Sequence, residues 1–278
     1  MPELPEMQAL AERLDGLLAG ATIQRVDALG FTALKTVDPP ADALVGRSVA
    51  GVRRRGKFVV VELEDGLRVL VHLSQGGRVD VERPPKATRP RGAVLRLVGD
   101  GTGVLVREHG TQRKAGWWIL GPGDDGPLAT LGPEPDDDAF AALVRTQDSP
   151  RRLHTWLRDQ HVVAGIGRGY ADDILHRAHL SPFGTLRSLD ADRREVLLEA
   201  VRTVLAEALE SERQREGGLS EAKLGDRFAV HGRWGQPCPR CGETMRRVSY
   251  ESHEITYCSR CQTGGRELAD RRLSRLLR

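Results

Sequence analysis

All four cysteines of the chain fall in one short stretch, as Cys238-Pro-Arg-Cys241 and Cys258-Ser-Arg-Cys261, with 16 residues between the pairs. Two CxxC knuckles at this separation can set four thiolates tetrahedrally around one zinc ion, which constrains everything the C-terminal segment can fold into. Two disulfides or a redox pair would use the same residues. Disulfides suit poorly a chain whose start, MPELPEMQAL, is acidic rather than a basic, apolar leader, and a redox CxxC needs no second copy. Between the knuckles, residues 245–250 and 255–257 read as two short strands. A zinc-clipped hairpin is expected, because about 50 residues could hardly hold a core without the metal.

The charge of the chain is concentrated in the same place. Overall, 42 Lys+Arg stand against 39 Asp+Glu, but residues 227–278 carry 11 against 5, leaving residues 1–226 slightly acidic. A basic segment on a near-neutral chain suits a polyanion, although such segments are also common as solvated faces. With 39% hydrophobic and 29% charged residues the composition is globular. No apolar run approaches the roughly 20 residues a membrane helix needs, and the chain reads as cytoplasmic.

The length of 278 residues suggests more than one domain. Met7, Leu10, Leu14, Leu17 and Leu18 recur at helical spacing, predicting an amphipathic helix over 6–19 closed by Gly20. From Thr22 to about Leu120 the pattern is short β-type runs such as 58–63, 68–73 and 93–98, separated by Gly, Asp and Pro turns. That spacing predicts a sandwich or barrel. Residues 121–137 are rich in Gly, Pro and Asp, and helical patterns follow to about 215, the longest over 189–213. The expected division is a domain over 1–125, a linker over 126–137, a helical domain over 138–226 and the finger over 227–278.

Three places carry unusual chemistry. Removal of Met1, usual before a small residue, would leave Pro2 with a free secondary amine, far less basic than lysine and nucleophilic near neutrality. Condensed with a sugar C1′, such an amine becomes a cationic electron sink, and Glu3 beside it could move protons. Read alone, the segment is more simply a helix start, where proline and acids are favourable. The second place is the stretch from Asp159-Gln160-His161 through Gly165-Ile166-Gly167-Arg168-Gly169-Tyr170 to Ala171-Asp172-Asp173, a glycine-turned step between one helix ending near Gln160 and another starting near Tyr170. Backbone N–H groups there could seat a phosphate, with Arg168 adding charge, or the glycines could merely turn a helix hairpin. The third is Arg53-Arg54-Arg55-Gly56-Lys57, entering a strand as a solvated face or a salt-sensitive DNA contact.

In order along the chain stand Met-Pro-Glu-Leu-Pro-Glu at the start, Arg-Gly-Lys at 55–57, Asp159-Gln160, Gly165-Ile166-Gly167, Tyr170-Ala171-Asp172 and a finger closing in Cys261-Gln262. Together they resemble the formamidopyrimidine-DNA glycosylase / endonuclease VIII family of base-excision repair enzymes, over essentially the whole chain. The resemblance implies an α+β multidomain fold with an N-terminal helix and β-sandwich. A helix-two-turn-helix domain and a C-terminal four-cysteine zinc finger follow, and damaged double-stranded DNA lies in the cleft between. It implies a DNA glycosylase with AP lyase activity that acts on a nucleotide flipped out of the duplex. Pro2 would attack C1′, Glu3 would assist proton transfer, and Lys57 would contact the lesion-side phosphate. The strand would break by β,δ-elimination, and one structural zinc would sit on Cys238, Cys241, Cys258 and Cys261.

The departures from the family pattern concern recognition. A methionine after the His-Leu strand end and an Arg-x-Phe before glycine fill the gap left by the flipped base in the family; here the matching positions are Gln75 and Arg113-Lys114-Ala115-Gly116. One arginine is kept and the apolar wedge is lost, so Gln75 or Trp117 is left to probe the duplex. The phosphate-seat asparagine is Arg168, with longer reach. The finger arginine is His253, about half charged at most near neutrality, which implies weaker and pH-dependent binding. The interval from Gly217-Gly218 to Cys238 is shorter than in the oxidised-purine branch, so poor excision of 8-oxoguanine is expected. A non-catalytic damaged-DNA clamp is the alternative, favoured by the lost wedge and opposed by intact Pro2, Glu3 and Lys57. A zinc-finger regulator would need a recognition helix or dimer symmetry, and neither signal is present. The family suggests a monomer.

Overall fold

The computed structural model describes residues 1–109, 113–217, 220, 227–250 and 253–269. The chain forms two compact units, one of residues 1–130 with 209–225 and one of residues 131–208 with 226–278.

In the first unit, helix α1 spans Leu4–Leu18, starting earlier than its apolar spacing suggests because Pro5 sits within the first turn, where its missing N–H costs nothing. Met7, Leu10, Ala11, Leu14 and Leu18 are its buried stripe, and Gly20 at φ +78° turns the chain out of it. Eight antiparallel strands follow: β1 Ile23–Ala28, β2 Val49–Arg55, β3 Phe58–Leu63, β4 Arg68–His72, β5 Gly77–Glu82, β6 Ala93–Gly99, β7 Thr102–Glu108 and β8 Gly116–Leu120. They form two four-stranded sheets, ordered β1-β6-β7-β5 and β2-β3-β4-β8. Val59, Val61, Val69 and Val71 of one sheet share a core with Leu95, Leu97, Val104 and Val106 of the other, and with the stripe of α1. The sheets therefore close as a sandwich. Val60 and Leu70 point the other way, onto Leu120, Trp118 and Leu128, which explains why β3 is apolar on both faces and does not alternate.

Among the residues of β6 that turn away from the core is Arg96, fully buried because the segment after β5 folds over it. Its guanidinium donates to Glu82 Oε2 at 2.8 Å and to Thr88 O at 2.7 Å, and pairs with Asp27 Oδ2 at 3.1 Å. Burial alone would push the Glu82 carboxyl upward; the Arg96 and Lys86 hydrogen bonds and charges outweigh it and hold the carboxyl below its usual range.

The second unit holds α2 Asp138–Thr146, α3 Leu153–Leu157, α4 Arg168–Arg177 and most of α5 Ala191–Gln214. Phe140, Val144, Trp156, Ile166, Tyr170, Ile174, Leu197 and Val201 are its buried residues of helical spacing. Strands β9 Arg246–Tyr250 and β10 His253–Tyr257 pair as the expected hairpin, followed by α6 Ser259–Thr263. The hairpin's second strand begins two residues earlier than its apolar run, so His253 lies within it. No helix among the described residues is long and apolar enough to cross a membrane.

Arg96→Ala leaves Glu82 buried and uncompensated, and should lower unfolding stability by about 3–5 kcal/mol in a urea titration. Because the folded state holds Glu82 ionised, the wild-type advantage should be present above the ordinary glutamate range and fade as pH falls below it.

Candidate functional site

Pro2 and Glu3 precede α1, Pro2 buried and Glu3 4% exposed, whereas Met1 is 45% exposed. Glu3 is the cap residue, and its N–H donates to Glu6 Oε2 at 2.6 Å, so the N-terminal backbone is fixed by a buried carboxylate. Lys57 follows Gly56 in the two-residue turn joining β2 to β3, where Arg55 pairs with Phe58. Gly56 takes φ +56°, as the first central position of a hairpin turn of primed type requires. The arginine run thus ends a strand and does not enter one. Arg53 pairs with Glu62, and Arg54 Nε donates to Gln8 Oε1 at 3.0 Å, so two of its cations are structural.

These contacts fix the geometry of the N-terminal end. Asp15 Oδ1 accepts from Val52 N at 2.7 Å and Gln8 accepts from Arg54, so α1 runs antiparallel to β2. From Gln8 to Glu3 is roughly 7 Å along the helix. From Arg54 the strand runs one residue more, roughly 3 Å in the same direction, to Arg55 and the turn that carries Lys57. Helix start and hairpin turn therefore arrive at one end of the sandwich. His72 pairs across from Phe58, with ring centroids 4.9 Å apart, and burial together with the Lys57 charge pushes its imidazole down to about 4. It is neutral at the foot of the turn, a feature sequence reasoning missed.

Gln75 is exposed in the β4–β5 connection, beside Ser74 at φ +54°. That connection abuts the end of β7: His109 N donates to Gly76 O at 2.9 Å, and a Cβ on Gly76 would meet His109 O at 2.3 Å. Arg113 is exposed, and the next residues are held by Glu108 Oε1, which accepts from Lys114 N and Ala115 N at 2.7 and 2.8 Å. Trp117, offered by the sequence as a duplex probe, is fully buried in the sandwich core and is not placed to act as one.

In the second unit the glycine-turned step is clamped by Gln160, whose Nε2 donates to Ile166 O at 2.7 Å and whose Oε1 accepts from Gly165 N at 3.0 Å. Gly165, at φ +96°, thus spends its N–H inside the protein. Helix α4 starts at Arg168, two residues before the expected Tyr170. Gly169 is required by packing, since a Cβ there would lie 2.2 Å from the Phe228 ring. Arg168 is exposed, and its Nη1 lies 3.5 Å from His253 Nδ1, so the two candidate phosphate contacts form one cluster.

The signal that sequence reasoning passed over is a pair of adjacent carboxylates buried in the middle of α4. Asp172 Oδ2 meets His231 Nδ1 at 2.6 Å and accepts from Thr256 N at 3.1 Å, while Asp173 accepts the N–H groups of Ala229, Val230 and His231 at 2.7–3.1 Å. Burial would raise the Asp172 carboxyl, and its His154 and His231 hydrogen bonds outweigh that and lower it. For Asp173 burial prevails over its three N–H donors and lifts the carboxyl to about 6. The four cysteine sulfurs lie within 4.8 Å of one another and form no disulfide. They can hold one metal ion. Among the described residues their surroundings are small, with Val230 and Met245 the only other members of that apolar cluster.

Sandwich, glycine-turned helical unit and cysteine hairpin together define a helix-two-turn-helix protein with a four-cysteine finger. Residues 1–116 match the model of the formamidopyrimidine-DNA glycosylase N-terminal domain and residues 131–217 that of its H2TH domain. The formamidopyrimidine-DNA glycosylase of Thermus thermophilus is 36% identical over 283 residues, covering 95% of this chain and 100% of that protein. That of Roseiflexus sp. is 35% identical over 281 residues, covering 94% and 100%. In fold the chain is similar to Lactococcus lactis Fpg (MutM) in complex with DNA containing N7-benzyl-Fapy-dG, with a TM-score of 0.83, 23% identity and coverage of 94% and 100%. It is also similar to the same protein with abasic-site DNA, at TM-score 0.81, 23% identity and coverage of 94% and 99%. The chain belongs to the formamidopyrimidine-DNA glycosylase family of enzymes. Of the interval from Gly217-Gly218 to Cys238, on which the expectation about 8-oxoguanine rests, residues 218, 219 and 221–226 lie outside the described residues.

Purified protein should carry one metal equivalent per chain by elemental analysis. Cys258→Ser should lose it and make the segment from residue 227 onward the first site of limited proteolysis, because the small apolar cluster cannot hold alone.

Proposed function

We propose that this DNA glycosylase is a base-excision repair enzyme and AP lyase that works through the secondary amine of Pro2. Removal of Met1 frees the amine. The Pro2 nitrogen forms a bond to C1′ of a flipped-out damaged nucleotide while the C1′–base bond breaks and the base leaves with the proton the amine gives up. The C1′–O4′ bond then opens, O4′ taking a proton while the nitrogen lone pair forms the C1′=N iminium. The resulting iminium acidifies C2′, loss of that proton expels the 3′-phosphate, and a second elimination expels the 5′-phosphate. Glu3 carries protons at the sugar and balances the iminium charge. Lys57 holds the lesion-side phosphate. The observation that supports this reading is the convergence of the α1 start and the β2–β3 turn at one end of the sandwich, fixed by the Gln8–Arg54 and Asp15–Val52 hydrogen bonds.

Gln75 and Arg113, both exposed, are the groups proposed to meet the duplex where the base has left, and Arg168 with His253 the seat for a backbone phosphate. The metal is read as a single structural zinc. Tetrahedral Zn–S bonds of about 2.3 Å place sulfurs roughly 3.8 Å apart, and the separations Cys241–Cys261, Cys241–Cys258 and Cys238–Cys261 are 3.4, 3.6 and 4.0 Å. The reading is of a monomer acting on damaged double-stranded DNA in the cytoplasm, with ring-opened purines, oxidised pyrimidines and abasic sites as substrates ahead of 8-oxoguanine.

Borohydride reduction on duplexes carrying an abasic site or one of these lesions should trap a covalent adduct with the wild type. Pro2→Gly should lose it, and Lys57→Ala should cut the single-turnover rate by roughly 10²-fold or more. No adduct despite a verified free Pro2 and measurable DNA binding would leave a damaged-DNA clamp in place of an enzyme. For Arg168 the readout is the slope of log affinity against log salt on an abasic-analogue duplex: Arg168→Ala should reduce it by about one unit, and an unchanged slope would place Arg168 off the phosphate.

A further inference from the structure

Helix α4 begins at the proposed phosphate seat and ends against the first cysteine knuckle. His176, two residues before its C-cap, is 5% exposed, and its Nε2 lies 3.2 Å from Cys238 Sγ, itself 3% exposed. The neighbouring contacts hold that approach in place. Arg240, inside the knuckle, donates from Nη1 to His176 O at 2.8 Å, a cation on the carbonyl end of α4. Gln262, behind the second knuckle, donates from Nε2 to Leu180 O at 2.9 Å and accepts from Cys258 N at 2.9 Å.

The sulfurs differ in where their donors come from. Cys241 takes the backbone N–H of Glu243 and Cys258 that of Cys261, both from within their own knuckles. Cys238 takes a side chain 62 residues away in sequence. A metal-bound cysteine is a thiolate with no proton to give, so at this contact the sulfur can only accept and the imidazole must present Nε2–H. Donation to a charged acceptor is among the stronger hydrogen bonds, and it draws electron density off the sulfur that binds the metal.

We infer that His176 is a positioning residue of the metal centre, which through an Nε2–H bond to the Cys238 thiolate sets the donor strength of that ligand and ties it to α4. The inference rests on the reading of the knuckles as a metal site. Without the bond the Cys238 sulfur is more basic and more nucleophilic, so protons, oxidants and chelators reach it sooner. With it, the sulfur is muted and the metal is released slowly.

The test compares His176→Phe, which fills the space without an N–H, with His176→Gln, whose amide N–H restores a donor. Each variant's fold is checked by far-UV circular dichroism. Metal release from the full-length protein to a chromogenic chelator should be about tenfold or more faster in the Phe variant and return toward the wild-type rate in the Gln variant. In cobalt-substituted protein the thiolate-to-metal charge-transfer band should move to lower energy for Phe and back for Gln, a change that packing alone would not produce. If the phenylalanine ring prevents folding, His176→Met provides the donor-free comparison. Wild-type release and an unshifted band in the donor-free variant would overturn the inference, as would a Gln variant that releases metal as fast as Phe. Wild-type protein purifying without stoichiometric metal would instead overturn the metal-site reading beneath it.

Discussion

The second unit depends on two buried carboxylates side by side on α4. Among the described residues the finger's apolar core is two small clusters, Val230 and Met245 around the cysteines and Val248, Ile255 and Tyr257 with Phe183 and Leu268, so something more must hold its backbone while the cysteines converge. Asp173 takes three consecutive N–H groups of the segment entering the finger, and Asp172 takes the N–H of Thr256 from its second strand. Two residues of one helix thus register the entry to the finger and its second strand. Charges buried this deeply are tolerated only when compensated; four of the hydrogen bonds they accept come from backbone N–H groups, which no side-chain substitution in the finger can remove, and His231 Nδ1 adds a side-chain contact to Asp172. The same helix carries Arg168 at its start and His176 near its end, so the proposed phosphate seat, the finger backbone and the contact to Cys238 are all reached from one helix.

In the first unit the corresponding rod is α1. Its position on β2 is set by hydrogen bonds from Asp15 and Gln8 to the strand as well as by apolar packing. Packing alone allows a helix to slide along a sheet, whereas a carboxylate accepting one particular N–H does not. That choice brings residues Pro2 and Glu3, 54 positions or more before Lys57 in the chain, to the end of the sandwich where the hairpin turns.

Much of this was legible in the sequence because it rests on local rules. Strand β3 was read at its observed bounds, and the cysteine hairpin followed from spacing alone. The two sheets came from turn chemistry, although sandwich and barrel could not be separated until pairing was known. What escaped was whatever depends on partners far away in the chain. Asp172 and Asp173 were noticed only as the end of the glycine-turned stretch, with no role given to either carboxylate, since nothing local tells a buried backbone clamp from a solvated acid. Gly169 read as a turn former, yet its constraint is the Phe228 ring. His72 gave no sign that the Lys57 turn would bury it. Trp117 was taken for a surface probe because its place in the core depends on β8 pairing with β4, a strand 44 residues earlier.

The first unit is also discontinuous in sequence. Arg13 of α1 donates to Glu212 O at 2.5 Å and Arg215 O at 2.7 Å, and Glu12 pairs with Arg213 at 2.7 Å. A ribosome adding about 5–20 residues per second needs on the order of 10–40 s to make the intervening 200 or so residues. During synthesis, therefore, the helix that follows Pro2 lacks these contacts until most of the helical unit has been made. Order of manufacture thus delays completion of the α1 end of the first unit until most of the protein exists, and a chain truncated before residue 212 would display α1 without the clasp formed by residues 212–215.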